Sequence, residues 1–153
     1  MSSETKKDAV TPLFLENYIH MVKASVGLAL FRNLYCTVND TRQDILRDGD
    51  LSCAFFVSWI LAPFRLIKDI HATVSGTVKD LKESGWIRID EPKLGAVIIW
   101  SPQITGSESH AHIGFYIGEG QAASNDYRTR TPQIHPWNSH PIEEILWHPR
   151  LDG

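Results

Sequence analysis

Apolar residues recur at spacings of three and four along the first part of the chain: Leu15, Ile19, Val22, Val26, Leu30 and Leu34. That period predicts one long amphipathic helix from Leu13 to about Leu34. Thr11-Pro12 precedes it, with Pro12 suited to the first helical position. Gly27 would permit close packing at some cost in helix propensity. Residues 37–50 turn polar and carry the turn signal Asn39-Asp40, so they predict a loop or a short hairpin. A nearly unbroken apolar run follows, Cys53 to about Leu61, and reads as a buried helix that Pro63 ends or bends. A third helix is predicted from Thr73 or Ser75 to Gly85, with Lys79, Asp80, Lys82 and Glu83 on an exposed face.

The second half reads as strands. Trp86 to Ile89 is short. Pro92 to Gly95 turns the chain into Ala96 to Trp100, which is β-branched and suits a central position. Ser101 to Ser109 reads as a polar loop and His112 to Ile117 as the next strand. Glu119-Gly120 is a hairpin turn, and Gln121 to Asn125 returns antiparallel. The tail from Tyr127 carries Pro132, Pro136, Pro141 and Pro149 and reads as irregular, with one late element at Ile142–Trp147 that can close the sheet. Helices first and strands afterwards predict an α+β domain, N-terminal helices packed on an antiparallel sheet. Residues 1–10 are expected to be disordered and residues 11–153 to form a single domain.

Composition narrows the function classes. The chain has 153 residues, 42% hydrophobic and 22% charged, enough for one ordinary core. A net charge of −3, with only Lys6-Lys7 clustered, argues against a nucleic-acid surface. Residues 1–11 lack the basic-then-apolar pattern of a signal peptide. The apolar stretch 53–67 is short and interrupted by Pro63 and Arg65, so no membrane span is expected. The expected location is cytoplasmic. The two cysteines, Cys36 and Cys53, make no disulfide framework and are expected to be unpaired. Seven histidines show no zinc-ligand spacing, so neither a metal nor another cofactor is expected.

The candidate chemistry centres on Cys53, which falls where the polar turn Asp48-Gly49-Asp50 meets the second helix. A thiol at a helix N-terminus feels the positive end of the dipole and has unpaired N–H groups nearby. Both favour thiolate, the reactive form, and the Cys53 N–H can serve a developing oxyanion. His112 begins a later strand. Alternation puts His110, His112, Gly114 and Tyr116 on one face and Ala111, Ile113, Phe115 and Ile117 on the other. The Ile/Phe face suits the core, and the Cys53 helix is the expected partner of the His/Gly/Tyr face. Cys53 and His112 are expected within about 4 Å of each other. An imidazole base also needs an orienter. Ser124 and Asn125 both lie across the Glu119-Gly120 turn and cannot both face His112; Asn125, with the longer reach, is preferred.

These blocks carry a family resemblance. Ser52 to Val57, Gly95 to Trp100 and His112 to Gly120 are similar to the three blocks of NlpC-type papain-like cysteine peptidases, to which CHAP amidases are related. The likeness covers roughly residues 45–126. It implies a papain-like fold and hydrolysis of a peptide or amide bond through an acyl-thioester, typically in peptidoglycan. Cys53 matches the nucleophile, His112 the general base, and the third polar position falls on Ser124 or Asn125. Ser52 and Ala96 stand where the family commonly has acidic residues. The alternative is a non-catalytic binding or regulatory module that keeps the same fold. The expected partner is a peptide or amide substrate, with no nucleic acid and no membrane.

Overall fold

A computed structural model describes residues 7–105 and 108–152. Most of the segment expected to be disordered, residues 1–6, lies outside the described residues, as do Gly106 and Ser107 of the expected loop. The first helix, α1 (Phe14–Ala24), is shorter than its apolar period predicts, and its N-cap is Leu13 rather than Thr11. It buries Tyr18, Ile19 and Val22. It stops because the Ser25 hydroxyl donates to the Val22 carbonyl at 2.6 Å and Gly27 takes a φ of 81°. The Gly27 N–H then donates to the Pro132 carbonyl at 2.8 Å, far along the chain. Leu30, the fifth position of the expected stripe, is left largely exposed on a 3-10 turn.

A small hairpin follows, β1 (Tyr35–Val38) and β2 (Thr41–Asp44), turning at Asn39 and Asp40, both at positive φ. That is the two-residue turn whose twist matches paired strands. The second helix, α2 (Cys53–Leu61), starts at Cys53 and gives way at Pro63 to a 3-10 turn, as its composition predicts. Helix α3 (Val74–Glu83) is capped by Thr73, whose hydroxyl accepts from the Gly76 N–H at 3.1 Å. Asp80 is not on its exposed face. It is buried and accepts hydrogen bonds from the Lys68 and Asp69 N–H groups, the Ser84 hydroxyl and His71, which ties the segment after α2 to α3.

Six antiparallel strands make the main sheet: β3 (Ile87–Arg88), β4 (Val97–Thr105), β5 (Glu108–Gly118), β6 (Gln121–Asp126), β7 (Thr131–Pro136) and β8 (Ile142–Trp147), in the order β3-β8-β4-β5-β6-β7. The segment expected as a loop, Ser101 to Ser109, is mostly strand. β4 passes a bulge between Trp100 and Gln103 and stays paired with β5 as far as Thr105↔Glu108. β7 was not foreseen, because Pro132 and Pro136 argue against a strand. An edge position resolves this, since one side of an edge strand needs no ladder N–H. Ile142–Trp147 does join the sheet, between β3 and β4.

The core lies between the helices and one face of the sheet. Phe56 of α2 packs edge-on to Phe115 at 5.3 Å, and Tyr18 of α1 meets the same ring at 5.8 Å. The Tyr18 hydroxyl donates to the Gly95 carbonyl at 2.9 Å, which fixes α1 to the start of β4. The Cys53 helix therefore covers the Ile113/Phe115 face, not the His112 face as expected. Among the described residues no helix is long and apolar enough to cross a membrane. The chain is an α+β fold with antiparallel sheets.

Candidate active site

Three structural devices bring Cys53 to the sheet. The Asp44 carboxylate accepts from the N–H groups of Leu34, Leu46 and Asp48 and from the Asn33 amide, holding the turn that precedes α2. These bonds hold the Asp44 carboxyl below the usual range, despite an opposing desolvation effect. Arg130, in the β6–β7 turn, donates to the carbonyls of Arg47 and Asp48 at 3.0 and 2.9 Å. Gly49, at φ 93°, passes so close to Arg130 that an added Cβ would lie 2.6 Å from the Arg130 Cβ. Finally, the Asn125 amide donates to the Gly49 carbonyl at 2.8 Å inside the protein. The loop before Cys53 is thus clamped to the end of β6.

Cys53 stands beside a gap in the ladder of the sheet. Tyr116 pairs on the β4 side through both its N–H, to the Ala96 carbonyl, and its C=O, from the Gly95 N–H. Alternation along β5 then aims the Ile113 N–H at the β6 side. On that side the pairing ends at Phe115↔Ala123. The N–H groups of Ile113, Ala54 and Cys53 lie near enough to the Cys53 sulfur to favour its thiolate in part. Cys53 therefore sits beside the peptide that follows His112. Its thiol pKa is nevertheless pushed up to about 11, because burial outweighs those N–H groups. The thiolate expected from the helix N-terminus is not the resting state. Desolvation of the sulfur exceeds what the short, buried helix returns.

His112 lies on the opposite face, where its ring stands 5.4 Å from that of Trp100. Its Nε2 meets the Ser124 hydroxyl at 2.8 Å. Ser124 also meets Nε2 of His135 at 2.6 Å, and Trp100 lies 5.3 Å from that second ring. Burial, with His135 and His140 nearby, pushes the His112 pKa down to about 4, and burial lowers that of His135 as well. Gly114 shares this face. Its lack of a side chain makes room not for a helix but for β6 and Trp100: an added Cβ would lie 2.6 Å from the Ala123 carbonyl and 2.7 Å from the Ser124 Cβ.

The preferred orienter is corrected by this geometry. Asn125 points to the α2 face and clamps the Cys53 loop; Ser124, its neighbour, faces His112. Strand alternation allows one or the other, and the register places Ser124 beside Gly114. His135 was missed because its strand was not foreseen. Its pairing with Ala122 puts it on the Ser124 face, a placement legible only once β7 is known. Cys53 and His112 share no hydrogen bond among the described residues. Cys53 lines a cavity of about 520 Å³ together with Asp50, Thr73, Glu108 and His110. His112, Ser124 and His135 line one of about 290 Å³, and Tyr127 borders both. Cys36 and Cys53 are both free thiols. Among the described residues no group of three or more His, Cys, Asp or Glu could hold a metal ion.

No protein-family model matches the chain. No curated protein matches it either. Among solved structures it is similar to NlpC2 from Trichomonas vaginalis, with 18% identity, a TM-score of 0.52, and coverage of 91% of this chain and 48% of that one. The chain has an NlpC-like fold. It spans about half the length of the structure it matches.

Two measurements check the site as built. Asn125→Ala leaves the Gly49 carbonyl without its buried donor and is expected to lower unfolding free energy by about 1–3 kcal/mol, read by urea denaturation. An unchanged urea midpoint would mean that the clamp contributes nothing. His112 has a folded pKa near 4 against an ordinary 6.5, so the unfolded chain takes up this proton first on acidification. Stability is therefore lost as pH falls from 6.5 through 4, and the loss is expected to be shallower in His112→Asn. Identical pH profiles for the two proteins would contradict the burial of a neutral imidazole.

Proposed function

We propose that the chain is a papain-like cysteine hydrolase that cleaves a peptide or amide bond through an acyl-thioester on Cys53. One observation carries the reading: the Cys53 sulfur lies near the N–H directly after His112, while the far nitrogen of that imidazole, Nε2, is held by Ser124. The nitrogen nearer the His112 backbone, Nδ1, is left to act on the thiol. The order of Cys helix, central strand, His strand and returning strand, and the NlpC-like fold, support the same reading.

The resting pair is neutral, so proton transfer accompanies attack. The Cys53 S–H proton passes to His112 Nδ1 as the S–C bond forms on the substrate carbonyl. The N–H groups at the start of α2 face the oxyanion that develops. His112 returns the proton to the departing nitrogen as the C–N bond breaks, releasing an amine and leaving the thioester. Water then adds, giving one proton to His112, and the C–S bond breaks to release a carboxylic acid and restore the thiol. The cavity beside Cys53, walled by Asp50, Glu108 and His110, is the proposed entry for the substrate. Peptide bonds of peptidoglycan are the substrate class that the family resemblance implies.

A second reading has its own support. The separate cavities of Cys53 and His112, and the protonated resting thiol, favour a non-catalytic binding module that retains the fold. The test is a panel of cell-wall stem peptides incubated with the protein and followed by mass spectrometry. Cleavage is expected, with an acyl adduct on Cys53 in acid-quenched samples. Cys53→Ala should abolish both, and His112→Asn should slow cleavage by roughly 10²–10⁴. Cleavage that survives Cys53→Ala would overturn the hydrolase. Binding without cleavage by any peptide would leave the module.

A further inference from the structure

Three histidine and serine side chains form one hydrogen-bonded line across β5, β6 and β7. His112 Nε2, Ser124 Oγ and His135 Nε2 are joined at 2.8 and 2.6 Å, and His135 Nδ1 lies 2.9 Å from the carbonyl of Pro136. We propose that His135 is a positioning residue: its bond to the Pro136 carbonyl sets, through Ser124, which nitrogen of His112 carries the proton. The proposal rests on the hydrolase reading for its consequence, though not for its geometry.

The directions follow from what each group can do. A carbonyl oxygen only accepts, so His135 Nδ1 must carry a proton. A neutral imidazole then has a bare Nε2, which accepts. Both rings are kept neutral by burial, and His140 disfavours a second charge nearby. The Ser124 hydroxyl has one proton, and it goes to His135. Its oxygen can therefore only accept from His112, whose Nε2 must be the protonated one. His112 Nδ1 then carries the lone pair, and it is the nitrogen that the hydrolase reading assigns to the thiol. The Ser139 hydroxyl, 3.3 Å from His135 Nδ1, is a longer partner than the Pro136 carbonyl and leaves the assignment unchanged.

Two features hold the line in place. Trp100 is fully buried, its indole lies against both imidazoles, and its N–H donates to the Trp137 carbonyl at 2.9 Å. Gly114 admits Ser124 to a distance no larger residue permits. The third position of the site thus holds a hydroxyl, which has no preferred direction of its own. His135 supplies that direction from the edge strand. Without an acceptor at position 135, the Ser124 proton is free to turn towards His112 Nε2. That would place the His112 proton on Nδ1 and block the base that the hydrolase reading assigns to the thiol.

Long-range ¹H–¹⁵N correlation of the histidine rings at neutral pH tests this without a substrate. In the unmodified protein, His112 is expected as the Nε2–H tautomer and His135 as the Nδ1–H tautomer. In His135→Phe, the Nδ1–H form of His112 should become the major one. In His135→Gln, whose carbonyl can accept from Ser124, the original His112 tautomer should return. Acylation of Cys53 by an activated aryl ester should fall roughly tenfold or more in the Phe variant, given the cost of a wrong tautomer in a comparable relay, and recover in the Gln variant. His112 found as Nδ1–H in the unmodified protein overturns the proposal, whether or not either variant folds. So does an unchanged His112 tautomer in a folded His135→Phe. Predicted tautomers in a protein that no ester acylates would uphold the relay and remove the hydrolase reading instead.

Discussion

The arrangement depends on one interrupted ladder. β5 and β6 pair from the Glu119-Gly120 turn up to Phe115↔Ala123 and then part. A sheet interior does not leave a backbone N–H without a partner at no cost. Here the start of α2 lies beside the gap, with the Cys53 sulfur near the Ile113 N–H, one residue along the strand from His112. The clamp from Asn125 to the Gly49 carbonyl and the Arg130 bonds to Arg47 and Asp48 act on the same spot, since they hold the α2 entry against the end of β6.

The electrostatics of the site follow from that enclosure. Burial raises the thiol and lowers the imidazole, so each is held in its neutral form at pH 7. In the proposed hydrolase, attack would rely on an aligned base rather than on a standing thiolate, and alignment becomes the property to protect. Ser124, His135, Trp100 and Gly114 all bear on the orientation of one ring. Among the described residues, Ser52 and Asn125 each keep one buried oxygen without a hydrogen-bond partner, both close in sequence to groups that place the site.

Local chemistry made much of this legible in advance. The start of α2 at Cys53, its end at Pro63, the Asn39-Asp40 and Glu119-Gly120 turns and the Thr73 cap each rest on a short-range rule, and each is in place. The structure departs from such rules where tertiary contacts override them. The period of α1 ran past Ala24, but Gly27 leaves the helix to pair with Pro132, a partner no window along the chain could reveal. Prolines hid β7, because only the sheet order makes it an edge. Asp80 read as a surface charge until the segment after α2 supplied its donors. The choice between Ser124 and Asn125 was open by alternation alone, and side-chain reach, the reason for preferring Asn125, proved to serve the Cys53 loop instead.

The central claim is that Cys53 and His112 work as one unit across the parted strands. It is tested most directly by mixing the protein with an activated aryl ester and timing phenol release before turnover begins. The account predicts a burst of one phenol per chain, absent in Cys53→Ala and much slower in His112→Asn. A burst of unchanged rate in His112→Asn would contradict it, since the thiol would then be reacting without the imidazole.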